Sequence, residues 1–358
     1  MPHTGVSREI DDDKMNAFLG KVVTDFGSAL SSMLSYIGVK LGLYEALAES
    51  DGLTPAELAQ KTGTTERYVR EWLINQASGE YIHYDPASGK YSMLPEQSVA
   101  LTDESSPFYM GGGFYVIKAM LNAQPRIIDA FKYGGGMFWG EHDPDLFIGT
   151  EKFFRPGYTA HLVNSWIPSL TGIEEKLQAG AKVADIGCGH GSSTVILAEA
   201  FPNSQFYGFD NHDKSIQNAA SRAETAGVDE RVTFEVADAA AFPGDNYDLI
   251  CYFDCLHDMG NPHGAMKRAF DALADDGRVL IVEPMAGDQV EGNFNPVGRT
   301  FSGASTLCCT PNSLASGGPA LGAVATEEAL REVVISAGFS EFRRTTETPF
   351  NRVFEARK

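Results

Sequence analysis

The run Val183-Ala184-Asp185-Ile186-Gly187-Cys188-Gly189-His190-Gly191-Ser192-Ser193-Thr194 constrains the fold more than any other stretch of the chain. It reads as a buried strand, a glycine turn and a helix start. Glycines let a backbone come close to a ligand, and the three hydroxyl residues can cap the helix that follows. The spacing narrows the ligand. A dinucleotide fingerprint needs G-x-G-x-x-G, but Ser192 holds the sixth position and the run is D-x-G-x-G-x-G. No G-x-x-x-x-G-K-[ST] phosphate loop occurs. An acidic residue two places before the first glycine suits a cationic or hydroxyl-bearing ligand better than a pyrophosphate.

Later strands supply the rest of a nucleoside site. Ser204 to Asp210 is a short apolar strand ending in a carboxylate, so Asp210, with Asn211 beside it, is the candidate for two ribose hydroxyls. Arg231 to Ala239 reads as a third strand, with Asp238 placed to accept from an adenine amino group and the Ala239 N–H to donate to the ring. Tyr247 to Phe253 and Arg278 to Glu283 are a fourth and a fifth, and helices intervene. Ligands of open parallel sheets lie across the carboxyl ends of the strands, where these residues fall. The set fits S-adenosylmethionine, with Phe253 and its neighbours Tyr252 and Asp254 bordering the methionine part.

At these residues the chain resembles the class I S-adenosylmethionine-dependent methyltransferases, over roughly its last half. The resemblance implies an α/β, doubly wound, Rossmann-like sheet with the last strand antiparallel. It also implies a cofactor pocket at Asp185, Gly187, Gly189, Gly191, Asp210 and Asp238, with S-adenosylhomocysteine as product. Small-molecule O-methyltransferases are similar at Leu256-His257-Asp258, where the histidine is the base; that role passes by resemblance to His257, with Asp258 to orient the ring. Those enzymes usually continue with tryptophan, and here Met259 follows.

The front of the chain is organised differently. Met15 to Ala48 reads as helices with small and apolar faces, and Thr54-Pro55 opens a capped helix. A second helix starts at Thr65, and strands at 81–84 and 90–93 flank a turn at 85–89, giving a mainly helical winged-helix domain. Between Asp51 and Ala100 seven acidic residues face four basic ones, and the whole chain carries a formal charge of −20. Phosphate neutralisation drives nucleic-acid affinity, so an acidic wing is a poor DNA reader. In the similar O-methyltransferases such a domain serves dimerisation and walls the acceptor pocket, which implies a homodimer and no nucleic-acid partner.

With 358 residues, 43% of them hydrophobic, the chain has material for about two domains. The expected segments are a dimerisation domain at 1–105, a linker and lid at 106–172, and a cofactor domain at 173–358. No apolar run approaches the ~18 residues of a membrane span, and Arg8 to Lys14 is too charged for a signal peptide. Five cysteines without framework spacing point to a reducing cytoplasm, and without C-x2-C pairs no metal site is expected. The aromatic, glycine-rich middle supplies an acceptor pocket, with Phe114, Met137, Phe138, Trp139, Tyr158 and His161 as its candidates and Gly134 to Gly136 as a lid hinge. The C-terminal end reads as a long loop from Met285 to Gly322, a helix, and an antiparallel hairpin. The acceptor is therefore a small molecule, with its hydroxyl as the expected methylation site. Nitrogen or carbon transfer without an essential histidine, and a cofactor-responsive winged-helix regulator, remain as alternatives.

Overall fold

The computed structural model describes residues 10–358, which form two compact units dividing between Ile117 and Lys118. In the first unit α1 (Asp12–Lys40) and α2 (Leu43–Ala48) precede a winged helix-turn-helix of α3 (Pro55–Thr62), α4 (Glu66–Ser78), β1 (His83–Asp85) and β2 (Lys90–Ser92), followed by α5 (Pro95–Thr102). Thr54 caps α3 as expected: its hydroxyl accepts from the Glu57 amide, and the Glu57 carboxylate accepts from the Thr54 amide at 2.8 Å. Leu43, Leu47, Leu58, Trp72, Leu73 and Ile82 form the core of this unit. Phe114 packs there too, edge-on to Tyr81.

The long helix α1 leaves Met15, Phe18, Leu19, Val23, Phe26, Leu30 and Ile37 exposed. This qualifies the sequence reading on membrane spans, because an 18-residue window of α1 reaches a mean hydropathy of 1.2. By length and composition alone that suffices to cross a bilayer.

The chain runs on through α6 (Gly112–Tyr133), α7 (Asp145–His161) and α8 (Ile173–Ala179) into a seven-stranded sheet. Its elements are β3 (Lys182–Ile186), α9 (Ser192–Ala200), β4 (Gln205–Asp210), α10 (Asp213–Ala226), β5 (Val232–Val236), β6 (Tyr247–Phe253), α11 (Pro262–Ala272) and β7 (Leu273–Pro284). After β7 come α12 (Pro296–Ala304), a π-helical turn (Ser305–Cys309), α13 (Thr310–Ala315), α14 (Glu327–Ser336), β8 (Glu341–Glu347) and β9 (Asn351–Arg357). The strand order is β5-β4-β3-β6-β7-β9-β8, all parallel except β9, which runs antiparallel to both of its neighbours.

Both faces of the sheet are covered, so its central strands are apolar throughout. Val183, Leu249, Cys251, Leu280 and Val282 face one layer with Trp166 and Leu197, while Ala184, Ile250, Tyr252, Val279 and Ile281 face the other with Met266 and Leu330. The sheet switches direction between β3 and β6, which opens a crevice at their carboxyl ends.

Two expectations need correction. The third strand stops at Val236, because Asp238 turns the chain by accepting from the Ala240 amide at 2.7 Å. The stretch 285–322 is largely helical, and Asn295, capping α12 ahead of Pro296 by accepting from Gly298 N–H at 2.9 Å, was the legible signal.

Gly191 has a left-handed backbone, φ 74°, and a Cβ there would stand 2.7 Å from the Phe234 ring and 2.8 Å from the Ala219 methyl. Its lack of a side chain lets α9 close onto the sheet. Gly191→Ala is expected to cost about 2–4 kcal/mol in urea unfolding; an unchanged midpoint would refute this packing role.

Candidate active site

Asp185 ends β3 nearly free of solvent, and its Oδ2 accepts the hydroxyls of Ser193 and Thr194, both at 2.6 Å. It ties the first turn of α9 to the strand, and it is not on the crevice wall. Burial pushes its carboxyl up to about 6. Above it lies a cavity of about 530 Å³, of small-ligand size, lined by Gly187, Cys188 and Gly189 from the turn. Asp210, Asn211, Asp238, Ala239, Phe253, Asp254 and Asp258 complete the strand-end wall, and Glu151 and Tyr158 come from α7.

Asp210 is held at the end of β4 by two amides, with Gly189 N–H on Oδ2 at 2.9 Å and His212 N–H on Oδ1 at 2.8 Å. A carboxylate accepts about four bonds, so capacity remains for a pair of ribose hydroxyls. The His212 ring stacks on Phe147 at 4.3 Å on the same wall. Asp254 has a left-handed backbone, φ 53°, and takes bonds from Tyr158 Oη (2.9 Å) and Asn351 Nδ2 (2.8 Å). The residues therefore fit S-adenosylmethionine: small residues at the turn, a diol acceptor at Asp210 and carboxyl groups around a ligand that carries a sulfonium.

His257 stands just after β6, 4% exposed, with Nδ1 2.6 Å from Glu283 Oε2 at the end of β7. The Leu256 amide donates to the other carboxylate oxygen at 3.1 Å. Asp258, expected to orient the imidazole, instead forms part of the cavity wall. Glu283 performs the orientation from 26 residues further along the chain. His257 is not itself part of the cavity wall, which Cys255, Asp258 and Met259 make at this turn. With Nδ1 engaged by Glu283, Nε2 is the nitrogen left for another partner. Burial disfavours the charged ring, but the Glu283 carboxylate outweighs it and holds the imidazole well above its ordinary value.

Of the acceptor-pocket candidates, Phe138, Trp139 and Tyr158 line the cavity. Phe114 belongs to the core of the first unit. Met137 packs on Ala123 and Ile127, and His161 stacks on Trp166 at 6.2 Å; neither is on the wall. Gly191 lies behind it as well. Sequence reasoning assigned no role to Glu151, Glu283 or Asn312, whose partners are distant in the chain. Among the described residues no group of three or more histidines, cysteines or carboxylates could hold a metal ion.

Burial raises Asp254 to about 8 and Asp258 to about 7. Groups whose folded-state value lies above the unfolded one stabilise fully below the unfolded value and lose that stabilisation as pH rises through the folded value. Asp185, Asp254, Asp258 and His257 all act in this direction. The melting temperature of the ligand-free protein is therefore expected to fall from about pH 5.5 to about pH 8.5; a rise across that interval would contradict the assignment.

Comparison with known proteins agrees with this geometry. Residues 177–316 match the model of the Methyltransferase domain, and residues 28–103 that of the Rv2258c-like winged HTH domain. The 27-O-demethylrifamycin SV methyltransferase of Amycolatopsis mediterranei is 33% identical over 107 residues, 29% of this chain and 39% of that protein. The trans-aconitate 2-methyltransferase of Paracidovorax citrulli is 35% identical over 108 residues, 30% of this chain and 40% of its own. The chain thus spans about two fifths of the length of these curated relatives. Among solved structures, one assigned as an O-methyltransferase from Nostoc punctiforme is 21% identical, with a TM-score of 0.72 over 96% of this chain and 98% of that one. Human N-acetylserotonin methyltransferase, in complex with S-adenosylmethionine, is 18% identical with a TM-score of 0.68 over 99% of both chains. These likenesses show the fold. The chain carries a methyltransferase domain of the class I S-adenosylmethionine fold, preceded by a winged helix-turn-helix domain.

Proposed function

We propose that the protein transfers a methyl group from S-adenosylmethionine to a hydroxyl of a small-molecule acceptor, with His257 as general base. The observation that carries this reading is the buried His257–Glu283 pair directly behind the cavity wall at the carboxyl end of β6. When bound, the sulfonium supplies an electrophilic methyl carbon: the new C–O bond forms as the C–S bond breaks, and its electron pair passes to the sulfur of S-adenosylhomocysteine. The chain's own residues orient the reactants and move the acceptor proton. Glu283 accepts a hydrogen bond from Nδ1–H of His257, so Nε2 is left as the accepting nitrogen, and the same carboxylate stabilises the imidazolium once the proton arrives. Asp210 holds the ribose, and Asp238 with the Ala239 amide meets the adenine.

The first unit serves dimerisation in this reading. On α1, Leu19, Val23, Phe26, Leu30, Met33 and Ile37 follow alternating steps of four and three, the seam of a helix that packs against another. We assign a second copy of the chain to that face, giving a homodimer. DNA reading is disfavoured because the cations of α4 are neutralised on their own helix, with Arg67 paired to Glu71 and Arg70 to Glu66. The compartment in this reading is the cytoplasm.

His257→Ala is expected to lower transfer from methyl-labelled S-adenosylmethionine into a metabolite extract by about 10²–10⁴-fold while S-adenosylhomocysteine binding persists. Retained transfer would exclude the base. Because the base must be unprotonated and Glu283 raises its value, kcat/KM should climb with pH above neutrality. Glu283→Gln should move that limb to lower pH and reduce its plateau. For the dimer, Phe26→Glu combined with Leu30→Glu should halve the mass seen in sedimentation; an unchanged mass would place the interface elsewhere.

A further inference from the structure

The segment 134–141 passes the cavity as a strap between α6 and α7, and Phe138, Trp139 and Gly140 form part of the cavity wall. Its near end begins at Gly134 and Gly135, both left-handed (φ 77° and 83°), where an added Cβ would meet nothing within 4 Å. Side chains leave space around these two glycines, the Gly134 amide continuing the helix by donating to the Ala130 carbonyl at 2.9 Å, and the segment ends in a 3-10 turn, Trp139–Glu141. The rest of the strap is held. Gly136 is pressed so closely to α13 that a Cβ would stand 1.9 Å from the Pro311 carbonyl oxygen. The Met137 amide donates to that carbonyl at 3.1 Å, and the Trp139 amide donates to Asn312 Oδ1 at 2.8 Å.

The other half of the same side chain reaches the turn that carries His257. Asn312 Nδ2 donates to the Asp258 carbonyl at 2.9 Å, and Ser313 Oγ donates to the Met259 carbonyl at 2.8 Å. One amide side chain therefore bridges two backbones, the strap on its acceptor side and the catalytic turn on its donor side. Asn312 and Asp258 both lie on the cavity wall.

We infer that Asn312 is a positioning residue: it latches the 134–141 strap over the cofactor and holds that closed strap in register with the turn bearing His257. Release of product cofactor then requires the Trp139–Asn312 bond to break, with Gly134 and Gly135 as the hinge. The bond from Asn312 Nδ2 to the Asp258 carbonyl is separate from that latch and sets the turn bearing His257. The inference rests on the cavity being the cofactor site.

Its two halves separate by substitution. Asn312→Ala removes both bonds. Asn312→Asp keeps an acceptor for the Trp139 amide and loses the donor to Asp258. Gly136→Ala drives the strap off α13 from the opposite side. Hydrogen exchange at the Trp139 amide in the ligand-free protein reads the latch, and stopped-flow release of S-adenosylhomocysteine, followed by Trp139 fluorescence, reads the gate. Asn312→Ala and Gly136→Ala should each speed both by about tenfold or more, the loss of roughly one hydrogen bond. Asn312→Asp should leave Trp139 protected and lower kcat with little change in the KM for S-adenosylmethionine. Unaltered Trp139 exchange in Asn312→Ala would overturn the latch, and faster exchange with unaltered release would overturn the gate. A wild-type protein that does not bind S-adenosylhomocysteine would refute the cofactor reading and the gate with it, while the exchange measurement would still decide the latch.

Discussion

The arrangement of the second unit depends on a single buried carboxylate. Asp185 sits near the end of a central strand, almost free of solvent, and the hydroxyls of Ser193 and Thr194 satisfy its Oδ2 while Oδ1 is left without a partner, in keeping with a carboxyl that burial raises. By accepting both, it fixes where α9 begins relative to β3 and bends the intervening turn into one shape. Every feature of the crevice refers to that turn: the Gly189 amide that holds Asp210, the closeness of Cys255 to Gly187, and the approach of α7 through Glu151, which accepts the Ser192 hydroxyl at 2.8 Å. The residue does its work from beneath the ligand floor.

Carboxyl groups are concentrated around this crevice at a density that would be costly in a closed core. Burial and the nearby Glu283 carboxylate raise Asp254, and Glu283 is paired with the imidazole of His257. Each acid also has a local donor: Tyr158 and Asn351 for Asp254, the Gly189 and His212 amides for Asp210, and the Leu256 amide for Glu283. Polar groups thus hold the acids in place, and with Asp254 raised to about 8 and Asp258 to about 7 the wall offers hydroxyl donors as well as acceptors.

Much of this was legible in the sequence wherever the signal was local. The glycine turn, the parallel strands with their apolar runs, the Thr54 cap and the acids at strand ends all announce themselves within ten residues. Signals that join distant parts were not. Glu283 was visible as the last residue of a strand, but its pairing with His257 depends on β6 and β7 being neighbours, and Asp258 was the nearer and wrong choice for orienting the ring. Asn312 carried no signal at all, since one amide in a helix has no pattern. Phe114 and Met137 were placed by composition, which cannot tell a pocket wall from a core.

The place of β9 has a consequence for how the sheet is made. It is the latest strand to be synthesised, yet it lies between β7 and β8, so β7 has no partner on that side until residues 351–357 arrive. Before then Val279 to Val282, the most apolar stretch of the sheet, presents open backbone to any passing strand. Until β9 pairs, the β7 edge is unpaired on that side. Losing β9 would remove an interior strand from the sheet, with no partner left for β8.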